Sequence, residues 1–499
     1  MSKRLTKVLL VTVIVLSMLF SQVAFVQGAA ESEATQIDVE YLKSVMDMIK
    51  EKHKGEVTDS QLIEGALKGM FNSMDQYTTY FTQEEADSFL TSVSGTYEGI
   101  GIMMQKRDDY MLVVKVFSSS PAEKAGITIG DKIATVDGKS VAGLALEEAS
   151  AMIKGPSGTK VSIGIIREGK SEIINVEVER GTIKVNPVTY EIRGDIGYIK
   201  IDVFNANTGE FITQALNEMD KNNIKKIVLD LRDNPGGDVN QAVTVAGKFV
   251  PKGLITKLDF KSDSMKDREY YSKLAEKKYQ LAVLVNGGSA SASEIVVGAV
   301  QDTQAGTVIG TKTFGKAKVQ SVVPLLTPEA YQQYQEKLGE KIVDAYELIT
   351  KFRIVPKKKE IMGWTKITTG SYTTPNGRMI DGVGITPDII VEDPPKVKDI
   401  DITSIQKLTM TWKPDLNSES IDVYNAEKIL KLLGYDVDTP DLMLDEKTFN
   451  AISKFRTDNG LYPGGTLDFA TQKALNSKLD EKILELDKQY LKAVEVLSK

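Results

Sequence analysis

At 499 residues the chain exceeds one ordinary core, which predicts several domains. A hydrophobic share of 41% beside 26% charged residues fits a soluble globular protein, and a net charge of -7 argues against nucleic acid as a partner. There is no cysteine and a single histidine, His53, so thiol nucleophiles, disulfides, thiolate metal sites and histidine-rich metal sites are excluded, and no metal or other cofactor is expected.

Residues 1–30 read as an export segment. Lys3, Arg4 and Lys7 precede the apolar run 8–20, and Gly28-Ala29-Ala30 offers a cleavage site. The segment is either a signal peptide or a membrane anchor, and both place the bulk of the chain outside the cytoplasm. Residues 31–95 form a helical region with apolar stripes at Tyr41, Leu42, Val45 and Ile49, and at Leu62, Ile63, Leu67 and Phe71. The stripes pack on the body of the protein or on a second copy, which leaves a homodimer through the terminal helices open.

Residues 96–181 alternate β-rich runs (111–117, 132–136, 160–166, 173–178) with turn signals, and two helices are expected at 121–125 and 146–154. Residues 182–395 alternate strands and helices in an α/β pattern. Residues 281–285 are continuously apolar, as expected of a strand buried on both faces, and a helix should follow from about Ala292. Residues 396–419 read as a linker, 420–478 as a small helical module, and 479–499 as a packed terminal helix carrying Ile483, Leu486, Tyr490, Ala493 and Leu497. The fold class is multidomain α+β.

The chemistry concentrates where the buried run meets its helix, at Asn286-Gly287-Gly288-Ser289-Ala290-Ser291-Ala292-Ser293-Glu294. Small residues let the backbone turn sharply and let a substrate approach. A serine at a helix N-terminus faces free N–H groups that can hold an oxyanion. A serine hydroxyl needs a base, and with His53 placed between two helices in a polar stretch the candidates are lysine and carboxylates. Lys316 lies in Phe314-Gly315-Lys316-Ala317-Lys318-Val319-Gln320. A Ser–Lys pair works when the lysine is neutral, which requires a bias of about 4 kcal/mol against its charged form, and burial supplies such a bias.

These segments resemble the carboxyl-terminal processing, or tail-specific, proteases. The resemblance makes Ser291 the nucleophile, Lys316 the base and Gln320 the residue that orients it, on a crotonase/Clp-like α/β core. Ala317 stands where the family motif has glycine. Asp230-Leu231-Arg232-Asp233-Asn234-Pro235-Gly236-Gly237 matches a further block, which implies an oxyanion hole from the N–H groups of Ala292 and Gly236, with Gly237 as the alternative to Gly236. Residues 96–181 resemble a PDZ domain whose carboxylate-binding loop falls on Gly99, Ile100, Gly101 and Ile102, implying a protein or peptide substrate with a free C-terminus. Residues 420–478 resemble a peptidoglycan-binding module, which makes peptidoglycan a second candidate partner. An insertion at about 326–363 follows Gln320 and is therefore expected near the active site. The competing reading is a catalytically inactive PDZ scaffold of the cell envelope. The intact set Ser291, Lys316 and Gln320 favours the protease.

Overall fold

The structure is a computed structural model describing residues 39–107, 109–167, 170, 172–263 and 265–499. The expected export segment, 1–30, lies outside the described residues, and among them no helix is long and apolar enough to cross a membrane. Two compact units divide after Gln76. The first contains α1 (Val39–Lys52) and α2 (Asp59–Asn72). Thr58 and Gln61 form a reciprocal capping box at the start of α2. His53 is exposed just past α1.

The second unit opens with β1 (Thr79–Phe81) and α3 (Gln83–Ser94). The helical pattern gives no sign of β1, because its partner is a strand almost 300 residues later in the chain. A β-rich domain follows, comprising β2 (Thr96–Gly99), β3 (Ile102–Lys106), β4 (Met111–Val116), α4 (Pro121–Lys124), β5 (Lys132–Val136), β6 (Lys139–Ser140), α5 (Leu146–Ile153), β7 (Lys160–Ile166), β8 (Ile174–Glu179) and β9 (Gly181–Lys184). Its main sheet runs β3-β4-β5-β7-β8, so β3 is an edge, and β2 pairs with β9 where the chain enters and leaves the domain.

The core contains β10 (Val188–Arg193), β11 (Ile196–Ile201), α6 (Thr208–Lys221), β12 (Lys226–Asp230), α7 (Val239–Ala246), β13 (Gly253–Phe260), β14 (Arg268–Ser272), β15 (Gln280–Val285), α8 (Ala292–Asp302), β16 (Thr307–Gly310), β17 (Lys318–Leu326), α9 (Pro328–Leu338), α10 (Ala345–Phe352), β18 (Ile361–Thr373) and β19 (Ile389–Ile390). The central sheet runs β10-β11-β12-β15-β16-β19 and is parallel from β11 onward. The helices α9 and α10 have a small core of their own at the end of the β17–β18 ribbon. The strand carries them roughly 20 Å from Gln320, at about 3.3 Å per residue.

The chain ends with α11 (Ile421–Leu433), α12 (Glu446–Asp458), α13 (Phe469–Leu486) and α14 (Lys488–Leu497). The stretch expected as a linker instead contributes Ile402 and Leu408 to the core of α11–α13. Strand alternation explains the burial of the 281–285 run. Leu281, Val283 and Val285 pack in the main core with residues of α7 and α8, whereas Ala282 and Leu284 meet Tyr490, Ala493 and Leu497 of α14. The terminal helix therefore forms the second cover of the central sheet. The β-rich domain touches the C-terminal module through Arg107, whose Nε donates to Glu419 Oε1 at 2.8 Å, and through Trp412 beside Gly130.

A buried charge network fixes α14. The Arg232 guanidinium, 2% exposed, donates to Asp230, Asp487 and Gln489. Asp487 Oδ1 also accepts from Tyr490 N–H at 2.9 Å. Asp487→Ala should destabilise the protein by about 2–4 kcal/mol in chemical denaturation, since it strands guanidinium donors and removes a cap. Asp487→Asn, which keeps the cap, should lose less.

In α11 burial raises the Glu427 carboxyl from 4.5 to about 7, against bonds from Thr448 Oγ1 and Asp441 N–H that favour its charged form. Because the folded pKa is raised, its contribution to stability is fully present below pH 4.5 and is lost as pH rises through about 7. The loss should be on the order of 3 kcal/mol, and Glu427→Gln should flatten that window in urea titrations across pH.

Candidate active site

Three loops converge because their strands are neighbours. β12, β15 and β16 are adjacent and parallel, so the segments 231–238, 286–291 and 311–317 leave the sheet at the same edge. Open parallel sheets present their crevices at that edge.

The three serines differ in their bonds. Ser289 Oγ donates to Leu231 O at 2.8 Å and Ser293 Oγ to Asn234 O at 2.9 Å, and both residues are fully buried. These bonds fasten the serine turn to the 231–238 loop. Ser291 is half-buried, and its hydroxyl is the one of the three not committed to a carbonyl of that loop. It stands at the N-terminus of α8 with φ 54° and ψ -113°. A non-glycine residue there carries roughly 1–3 kcal/mol of strain and persists only when its surroundings hold it.

Gly236 makes the turn possible. Its φ is +100°, and a Cβ there would lie 2.7 Å from Ala290 O and 2.8 Å from both Ala292 N and Ser291 Cβ. Its N–H, however, donates to Asn234 Oδ1 at 2.9 Å. Around Gly237, Phe204 N–H donates to Gly236 O and Asp238 N–H to Phe204 O. Those bonds use the groups flanking Gly237, whose own N–H meets no acceptor among the described residues. Ala292 N–H, the first of α8, likewise meets none.

Glu294 is fully buried and joins two of the loops. Its Oε2 accepts from Ser291 N–H at 2.9 Å and Lys316 N–H at 2.8 Å. Its Oε1 accepts from Gly315 N–H at 2.8 Å and Thr313 Oγ1 at 2.6 Å. Sequence reasoning passed over this residue. The signal was the spacing Ser291-x-x-Glu294, that of a capping box, whose carboxylate here also reaches a second loop.

Lys316 is half-buried, with Nζ 4.5 Å from the centre of the Tyr77 ring. Gln320 lies just past a bulge in β17, and its Nε2 donates to Thr368 Oγ1 of β18 at 3.4 Å. The structure thus gathers Ser291, Ala292, Gly236 and the Lys316 backbone at one place, with the Gln320 Nε2 bonded to the neighbouring strand. Gly99, Ile100, Gly101 and Ile102 line a separate cavity of about 220 Å³ with Met104 of β3 and Ile153 of α5. That groove runs along an unpaired strand edge.

Residues 195–391 match peptidase family S41, 99–178 the PDZ domain, and 419–475 the peptidoglycan binding domain. Residues 16–85 match the N-terminal domain of the activating protease CtpB. The carboxy-terminal processing protease CtpA of Bacillus subtilis is 33% identical over 463 residues, covering 92% of this chain and 90% of that one. A carboxy-terminal-processing protease of Bartonella bacilliformis is 36% identical over 353 residues, 69% of this chain and 73% of that one. Similarity of that extent, on a fold whose sheet edge presents a serine at a strained helix start, means that the chain belongs to the carboxy-terminal processing proteases, serine peptidases of family S41, and carries a PDZ domain beside its catalytic core.

Proposed function

We propose that Ser291 is the nucleophile of this endopeptidase and Lys316 its general base. The observation that carries the reading is the environment of Ser291, whose hydroxyl donates to no acceptor among the described residues, at a strained helix start beside N–H groups that likewise meet none there. Neutral Lys316 takes the Ser291 proton as Oγ attacks the scissile carbonyl. The oxyanion is received by the N–H groups of Ala292 and Gly237, since that of Gly236 is already bonded to Asn234. The lysine ammonium then protonates the leaving amine, and the acyl-enzyme is cleared by a water that Lys316 deprotonates. Gln320 serves as the residue that orients Lys316, through its Oε1, while its Nε2 is held by Thr368. Ser291→Ala should abolish turnover with the fold intact. Lys316→Ala and Lys316→Arg should both be inactive, because a guanidinium does not act as a base. Peptide cleavage by either lysine variant at a wild-type rate would refute the pair.

The PDZ groove supports recognition of substrate C-termini. A peptide would add as a strand along the edge of β3, its carboxylate at Gly99–Ile102 and its apolar side chains against Met104 and Ile153. Amidating the C-terminus of a substrate should lower its cleavage, and equal cleavage of free and amidated forms would remove this role.

The basic-then-apolar N-terminal segment supports a location outside the cytoplasm, secreted or tethered, which cell fractionation reads directly. The match of 419–475 to a peptidoglycan binding domain makes the cell wall a candidate partner there, and the apolar faces of α1 and α2, with Tyr41 and Leu42 exposed, are candidates for pairing with a second copy.

A further inference from the structure

Ser291 and Lys316 stand on loops that follow different strands, so neither loop alone sets their separation. Glu294 ties their N–H groups to one oxygen. Their carbonyl groups are tied by a residue from a third element. Tyr372 is the penultimate residue of β18, and its ring is buried in the main core. Its Oη lies 2.9 Å from Ser291 O and 2.9 Å from Lys316 O, so its one proton is shared between them. Its own N–H donates to Ala317 O at 3.0 Å, holding the lysine loop a second time.

Two features set this hydroxyl apart from a packing detail. Burial, with the charges of Glu294 and Asp381 nearby, pushes the phenol well above its usual value of 10, so it remains a donor across the working pH range. A trans peptide also points its C=O and N–H in opposite directions. The carbonyl of Ser291 and the N–H of Ala292 belong to one peptide unit, and fixing the first aims the second. Ser291 O also accepts the first bond of α8, from Ile295 N–H at 3.1 Å, so Tyr372 shares the fixing of this unit with the helix and is the group that ties it to the Lys316 loop.

We infer that Tyr372 is a positioning residue for catalysis. It fixes the spacing of nucleophile and base by binding the carbonyls of Ser291 and Lys316, and with the first bond of α8 it orients the Ala292 N–H. This rests on the Ser291–Lys316 reading above. A phenylalanine would fill the same place in the core and make neither bond.

The test is Tyr372→Phe in the full chain. Turnover of a peptide substrate is measured per titrated active site, together with inactivation by a small fluorophosphonate that needs no peptide groove. Both kcat and the inactivation rate should fall about 10- to 100-fold, the scale of a small misplacement of reacting groups. KM should stay within about twofold, because the bonds act on the transition state more than on substrate binding. Leu258→Ala is the control for stability alone. Leu258 is buried opposite Tyr372 on β13, touches neither Ser291 nor Lys316 in these bonds, and should leave turnover per folded site unchanged. Rates for Tyr372→Phe within about twofold of wild type would overturn the inference. So would a loss matched by Leu258→Ala, or failure of Tyr372→Phe to fold even in the cold, since the hydroxyl would then serve structure only. Ser291→Ala and Lys316→Ala run alongside keep the two ideas separate. Turnover in either sinks the catalytic pair, whereas inert pair variants with an active Tyr372→Phe sink only the role of Tyr372.

Discussion

The buried carboxylate of Glu294 is the interaction on which the rest of the site depends. A charge removed from water must be met by hydrogen bonds or it costs several kcal/mol. Glu294 meets four donors, and two of them are the N–H groups of Ser291 and Lys316 on one oxygen. The need to satisfy this carboxylate therefore forces two loops from different strands to the same point. The parallel order β12, β15, β16 makes that meeting short-range, since all three loops leave one edge of the sheet.

Around that anchor, small residues and strain cooperate. The positive φ of Ser291 turns its side chain out of the helix start, and Gly236 packs closely enough against 290–292 that no other residue would fit. Ser289 and Ser293 hold the same turn by bonding the loop that carries Gly236. Three serines in one motif thus divide into two structural bonds and one available hydroxyl.

The catalytic core is also tied to the end of the chain. Arg232 belongs to the segment that leads to Gly236, yet half of its bonds go to Asp487 and Gln489 at the start of α14. The same helix covers the face of the sheet formed by Val228, Ala282, Leu284 and Ile309. A strand hydrophobic on both faces needs two covers, and the last ten or so residues supply the second.

Much of this was legible in the sequence. The continuous run 281–285 signalled a strand buried twice, small residues signalled the turn to α8, and the β-rich runs of 96–181 fell on the strands observed. The family match agrees with the resemblance carried by the motifs around Ser291, Lys316 and Asp230. These features are local, set by side-chain period, size and backbone freedom over a few residues. Other features depended on partners distant in the chain. The pairing of β1 with β18, the placement of α9 and α10 at the end of a ribbon, and the packing of 396–419 into the C-terminal core have no local pattern. Nor could sequence decide between Gly236 and Gly237, which differ in that Asn234 takes the N–H of one and not the other. It could not assign Glu294, Tyr372 or the Gln320 amide their partners either. Composition and period determine which segments form strands and turns, whereas the commitment of each hydrogen-bonding group is settled only when distant segments arrive beside it.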